Sequence, residues 1–221
     1  MALVRKIRSI NMRNTHLLTT NELLEFTFKN GKTITKSDAE LLPVFSQEGK
    51  QLGVAPRLLC HRLGLIHKVV YLFISNTHRE ILVQIRGDSG RIDVPVGGHI
   101  SIDDKSEKEA LIREAFEELG VDVNEDKITY HQTYFRESES NIKKPEEANR
   151  ELRVLYSLVM DVSDEKELNN KFSLRKDKEA VIDIKWMTIE EIVKYCDSSL
   201  VADGLKASLP HYLIQSRKTP A

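Results

Sequence analysis

The amino-acid sequence predicts an α+β domain, a mixed β-sheet with helices packed on its faces. Two β-branched and aromatic runs, 67–75 (HKVVYLFIS) and 80–86 (EILVQIR), flank a polar turn at 76–79 and read as a pair of strands. Two hydroxyl-to-carboxylate spacings, Ser106 to Glu109 and Thr188 to Glu191, read as capping boxes that open helices. The remaining strand-like and helical runs alternate irregularly. Hairpins and crossovers are therefore both required, which favours a mixed sheet.

Taken in chain order, residues 1–40 hold short apolar stretches and one hairpin turn signal, Asn30-Gly31. They read as an N-terminal extension with a β-hairpin as its candidate structure, and 41–221 reads as the domain with its C-terminal helices. After the strand pair, a short strand over 93–96 ends at Gly97-Gly98. The helix capped at Ser106 runs to Leu119 and stops at Gly120, which accepts the left-handed conformation a helix end demands. Strands are expected over 128–136 and 152–161, separated by the charged connection 137–151, whose length suggests a functional loop. A strand over 181–187, a helix from the Thr188 cap to about Cys196, and a last helix within 200–215 complete the domain.

The bulk properties narrow the function classes. Apolar residues make up 40 % and charged residues 30 % of the 221, the balance of an ordinary soluble globular protein. The formal net charge of −1 gives no global basic field, so a nucleic acid polymer is not an expected partner, whereas a small anion needs only a local patch. No apolar run approaches the length of a membrane span, and no apolar segment follows the basic N-terminus. The two cysteines, Cys60 and Cys196, lie far apart and outside any CxxC pair, which suggests a reducing, cytoplasmic setting. Cys60 reads as a packed thiol and Trp186 as a core residue. The oligomeric state is open, a homodimer included.

The helix after Ser106 carries the chemistry. With Glu114 as reference, Glu117 and Glu118 fall three and four positions on and flank the same direction; Glu107, two turns earlier, shares that face. Ile112, Ala115, Phe116 and Leu119 gather on the other side. Like charges at this spacing cost about 0.2–0.5 kcal/mol per pair. A divalent cation would remove that cost, and Mg²⁺ takes a few carboxylates, waters and phosphate oxygens. Arg113, beside the cluster, suits a bidentate pair with one carboxylate. On spacing alone, a solvated acidic face is the favoured explanation.

The segment 97–121, GGHISIDDKSEKEALIREAFEELGV, resembles the Nudix box: Gly, five residues, Glu, seven residues, then Arg-Glu-apolar-any-Glu-Glu-any-Gly-apolar. Arg113 to Val121 match the second half in full. The first half departs from it: Asp104 stands six residues after Gly98, and Gly98 to Arg113 is one residue longer than the pattern, as an insertion before the helix would make it. The resemblance covers about two thirds of the chain and implies a Nudix-type α/β/α sandwich. It also implies hydrolysis of a diphosphate linkage in a nucleoside-diphosphate-type or related small molecule, dependent on Mg²⁺ with Mn²⁺ as substitute. Glu114, Glu118 and Glu117 would be metal ligands, with a backbone carbonyl at Gly97 or Gly98 completing the shell; Glu117 is also a candidate base, with Arg113 in the catalytic group. Gly97 and Arg86 are candidate substrate contacts, and a structural role for Arg86 is equally open.

A narrower likeness lies at 53–67 (GVAPRLLCHRLGLIH), which resembles the corresponding part of isopentenyl-diphosphate isomerases and the Nudix proteins related to them. It implies a candidate second metal site at His61, His67, His99 and Glu151. Gly97 stands where the isomerase has its catalytic cysteine, and Arg153 where it has its catalytic glutamate. Glycine supplies neither a proton donor nor an acceptor, so the hydrolase ranks above the isomerase. A non-catalytic Nudix-like binding module is the other alternative.

Overall fold

The computed structural model describes residues 40–138, 149–161, 166, 169, 170 and 181–216. The expected hairpin at Asn30-Gly31 and most of the connection 137–151 lie outside these residues.

A hairpin that the sequence reading missed comes first: β1 (Leu41–Phe45) pairs antiparallel with β2 (Gln51–Pro56). Helix α1 (Arg57–Leu63) follows and ends at Gly64, whose φ of 63° suits a residue without Cβ. β3 (His67–Asn76) and β4 (Ile81–Arg86) fall where expected, but their hairpin is closed by a single pair, Ser75 with Ile81. Beyond it they take different partners. β3 pairs in parallel with β8 (Asn149–Met160) from His67–Glu151 to Asn76–Met160, and antiparallel with β6 (Val96–His99). β4 pairs with β5 (Ile92–Asp93) and with β9 (Val181–Met187). β7 (Thr129–Ser138) pairs with β8. Among the described residues the result is a mixed sheet of nine strands.

The expected strand 93–96 is thus two strands, broken at Val94-Pro95, and the paired glycines lie inside β6 rather than after it. Proline cannot donate a ladder hydrogen bond, so the break falls where the ladder must stop. Strands β7 and β8 reach Ser138 and begin at Asn149, further into the expected loop than hydrophobic runs alone indicate.

Both faces of the sheet are covered, which is why β3 reads as a continuous apolar run. Val70, Leu72 and Ile74 point to one face and pack with Ala110, Leu111, Ala115 and Leu119 of α2 (Glu107–Leu119). Phe73 points to the other and packs with Ile192 of α3 (Ile189–Cys196) and Leu205, Leu209 and Tyr212 of α4 (Asp203–Ser216). This is the α/β/α arrangement the resemblance implies. Each buried leucine contributes about 1.5–3 kcal/mol. Phe116 corrects the wheel: it is 43 % exposed, and Ala110 and Leu111 take its place on the buried face. Cys60 is a buried free thiol, pushed up to about 12 by burial, and Trp186 packs partly buried against the α2 side of the core.

The two caps differ. Thr188 and Glu191 form the full reciprocal box. At α2 only half forms: Ser106 Oγ accepts from Glu109 N–H at 3.1 Å, while the Glu109 carboxylate accepts from Lys105 N–H instead. No described helix is long and apolar enough to cross a membrane.

Candidate active site

The carboxylates of α2 meet the sheet at β6. Gly97 N–H donates to Glu118 Oε2 at 3.0 Å, and the Glu114 carboxylate lies over Gly98 so closely that a Cβ there would overlap it. A Cβ at Gly97 would come within 2.5 Å of the Tyr71 ring on the opposite face. The two glycines are therefore required for close approach, one on each side of the strand. Gly98→Ala is expected to cost about 1–3 kcal/mol through this overlap and to weaken divalent-cation binding. Urea unfolding and a Mn²⁺ titration check both effects, and an unchanged Mn²⁺ affinity would sink the packing argument.

Burial dominates the electrostatics here. Glu118 is pushed up to about 8, chiefly by loss of solvent, with the Glu114 and Asp93 carboxylates adding to it against the Gly97 hydrogen bond. Glu114 is also raised by burial, although Arg113 opposes this. Glu117 is half exposed. A pair of enclosed carboxylates whose neighbouring cation, Arg113, is shared with Asp104, beside backbone that approaches without side chains, suits a hard divalent cation.

Arg113 organises the surroundings. Its Nε and Nη2 donate to Asp104 Oδ1 and Oδ2, both at 2.9 Å; Nη1 donates to Glu114 Oε1 at 2.8 Å and Nη2 to the His99 carbonyl at 3.0 Å. Asp104 is buried and accepts a further bond from Ser101 N–H. The shorter side chain, set one residue further back than the family pattern, thus reaches the arginine through the lengthened loop. Its place in the sequence gave only a mismatch; the signal was the pairing of an acid with the box arginine.

Arg86 is committed to carboxylates. Nε and Nη2 donate to Asp88, and Nη1 donates to Asp93 Oδ2 at 3.1 Å. Asp93 Oδ1 in turn accepts from Leu205 N–H, so this chain of bonds ties β4 and β5 to the start of α4. The sequence reading did not single out Asp93.

His61, His67 and His99 converge, with one ring nitrogen from each within 4.8 Å of the others. Each comes from a different element: α1, β3 and β6. His61 and His99 approach through their Nε2 atoms at 3.2 Å. His67 Nδ1 lies 2.9 Å from the Leu65 carbonyl, which can only accept, so Nδ1 carries the proton and Nε2 presents a lone pair. That Nε2 is buried with no hydrogen-bond partner among the described residues. Burial lowers all three histidines, His61 and His67 to about 4.

Glu151, the fourth residue expected with them, is beside His67 in register but belongs to another set. Its Oε2 accepts from Arg153 Nε at 2.8 Å. Arg153 is 2 % exposed, donates through Nη2 to Asp203 Oδ2 at 2.7 Å and lies over the Tyr71 ring. Arg136 holds the other oxygen of Asp203 at 2.7 Å.

A family model described as NUDIX domain matches residues 65–205. Among solved structures, DR0079 from Deinococcus radiodurans is 20 % identical, with 77 % of this chain and 96 % of that chain covered and a TM-score of 0.55. A NUDIX hydrolase from Nitrosomonas europaea is 19 % identical over 67 % of this chain and 88 % of that one, with a TM-score of 0.48. The NUDIX domain of Shewanella oneidensis NrtR, complexed with ADP ribose, is 17 % identical over 68 % and 87 %, at 0.45. At these identities the likeness is one of fold. No curated protein sequence matches the chain.

Proposed function

The chain belongs to the Nudix family, and from that premise we propose that it is a Mg²⁺-dependent hydrolase cleaving a diphosphate linkage in a nucleoside-diphosphate-type or related small molecule. One observation carries the reading: two enclosed carboxylates, Glu114 and Glu118, converge on the glycine strand β6, and Glu118 is raised to about 8.

In this reading Glu114 and Glu118 hold Mg²⁺, with Mn²⁺ as substitute, and the carbonyl of Gly98 is available to the same shell. When bound, the cation neutralises diphosphate charge and polarises the phosphorus under attack. Arg113 fixes the rotamer of Glu114 through its 2.8 Å bond and is itself fixed by Asp104. In the same reading Glu117, half exposed and 3.4 Å from Arg113 Nη1, takes a proton from water. Gly97 remains a candidate substrate contact through its backbone. The three histidines form a candidate second metal site, with donors of a softer kind. Residues 41–221 act as one domain and 1–40 as its extension.

The isomerase alternative is weakened at two positions. Gly97 has no side chain to donate a proton, and Arg153 is an ion-paired cation where a base would be required.

Because groups that orient a metal ligand are worth about 10–100-fold in activity, Asp104→Ala is expected to lower kcat by that amount, with Asp104→Glu closer to wild type. Steady-state kinetics decide it; equal losses in both variants would mean that Asp104 supports only the loop. The function itself is tested by incubating the full chain with Mg²⁺ and a broad panel of nucleoside diphosphate derivatives and other small diphosphates. Phosphorylated products should be released, and Glu114→Gln should suppress them. Absence of turnover across the panel, together with tight binding of one member, would instead favour a binding module.

A further inference from the structure

We infer that β6 couples two metal sites of different chemistry, so that a transition-metal ion held by His61, His67 and His99 weakens divalent-cation binding at Glu114 and Glu118. This inference rests on the hydrolase reading for the second of these sites.

Every residue of the strand from Gly97 to His99 touches one site or both. The His99 ring belongs to the imidazole group, while its carbonyl accepts from Arg113, which also holds Glu114. Gly98 lies directly under the Glu114 carboxylate, and Gly97 N–H is bonded to Glu118. Neither glycine has a side chain to absorb a shift. A change in the seating of His99 therefore reaches both carboxylates through backbone.

The donors separate the ions. Three neutral imidazoles suit Zn²⁺ or a similar ion and leave a fourth position open. Carboxylates suit Mg²⁺ and Mn²⁺. The lone pair of His67 Nε2, buried and without a partner among the described residues, is the independent sign that the imidazole group is built for a ligand.

The direction of the coupling follows from charge. The three imidazoles are neutral donors, and Glu151, which acts on His61 through space, is shared with Arg153, so the ion's charge is only partly compensated. Strands advance about 3.3 Å per residue, so the stretch Gly97–His99 that the two sites share spans roughly 7 Å, less than the Debye length of about 10 Å at 0.1 M salt. A second dication is then bound against the field of the first.

The test uses the full chain stripped of metal. Mn²⁺ affinity is measured by the paramagnetic resonance of free Mn²⁺, with and without one equivalent of Zn²⁺. Zinc is expected to weaken Mn²⁺ binding about threefold or more at low salt, and less as salt is added. By linkage, saturating Mn²⁺ must weaken zinc binding by the same factor, measured by chelator competition. His61→Asn, at a partly exposed ring, should abolish the effect. Mn²⁺ binding that depends on Glu118 but ignores zinc overturns the coupling and leaves the hydrolase reading standing. A zinc effect that persists in His61→Asn also overturns it. Mn²⁺ binding unchanged by Glu118→Gln overturns the carboxylate site itself, and the coupling with it.

Discussion

Glu118→Gln is expected to suppress hydrolysis by about three orders of magnitude, since metal-borne charge stabilisation is worth several kcal/mol, while making the metal-free protein more stable. The second half follows from linkage. A glutamate in the unfolded chain ionises near 4.5, and burial in the folded chain pushes Glu118 up to about 8. Between those values the folded state binds the extra proton. Wild-type stability therefore falls as pH rises from about 4.5 to about 8. Glutamine keeps the shape and the acceptor for Gly97 N–H but has no proton to lose, so its profile lacks that fall. At pH 8 the variant should be more stable by an amount on the order of 4 kcal/mol. Urea unfolding in chelator at pH 5 and pH 8 measures this, and saturating Mg²⁺ should reverse the ranking, because only the wild type gains binding energy. Equal slopes with pH for the two proteins would refute the burial argument.

Arg153→Leu is expected to destabilise the fold by about 3–5 kcal/mol, lowering Tm by roughly 10 °C. The guanidinium is almost wholly enclosed between Glu151 and Asp203, with the Tyr71 ring against it. Leucine replaces the volume but not the charge. Asp203 keeps Arg136, whereas Glu151, itself buried, loses its ion-pair partner. The cost is the stranded carboxylate more than the missing attraction. Arg153→Leu with Glu151→Leu should therefore recover most of the loss. Calorimetry of the two variants separates the cases; a single variant within 1 kcal/mol of wild type would mean that water or a nearby group rescues Glu151.

The fold was legible wherever local chemistry decided it. The box Thr188-Ile189-Glu190-Glu191 opens α3 as read, and Gly120 ends α2 with φ of 71°. The hairpin of β1 and β2 was not read, because Pro43 and Gly53 interrupt its apolar runs. One strand was read across Pro95 and ended at Gly97-Gly98, where the structure has two strands with Pro95 in the gap.

In the site, the helix wheel put Glu114 and Glu118 together but misplaced Phe116, because a wheel shows directions on one helix and not what lies opposite. Convergence of His61, His67 and His99 required three elements to meet, and only the family resemblance suggested it. What the sequence could not assign was ownership. Glu151 beside His67 and Arg86 at a strand end were read as candidate ligands without sight of the partners they have here, Arg153 for the first and Asp88 and Asp93 for the second.

The long parallel pairing of β3 with β8 bears on the order in which the chain assembles. The two strands at the centre of the sheet are far apart in sequence, and α2 with its flanking strands must be threaded between them. Their closure carries a large loop entropy that no local turn offsets, the condition under which folding is slow. The hairpins β1–β2 and β7–β8 and the capped helices can form early and locally. The residues of both candidate sites lie between His61 and Glu118, and β3 pairs with β6 without β8, so the chemistry-bearing strands can meet before the distant half of the chain closes the sheet.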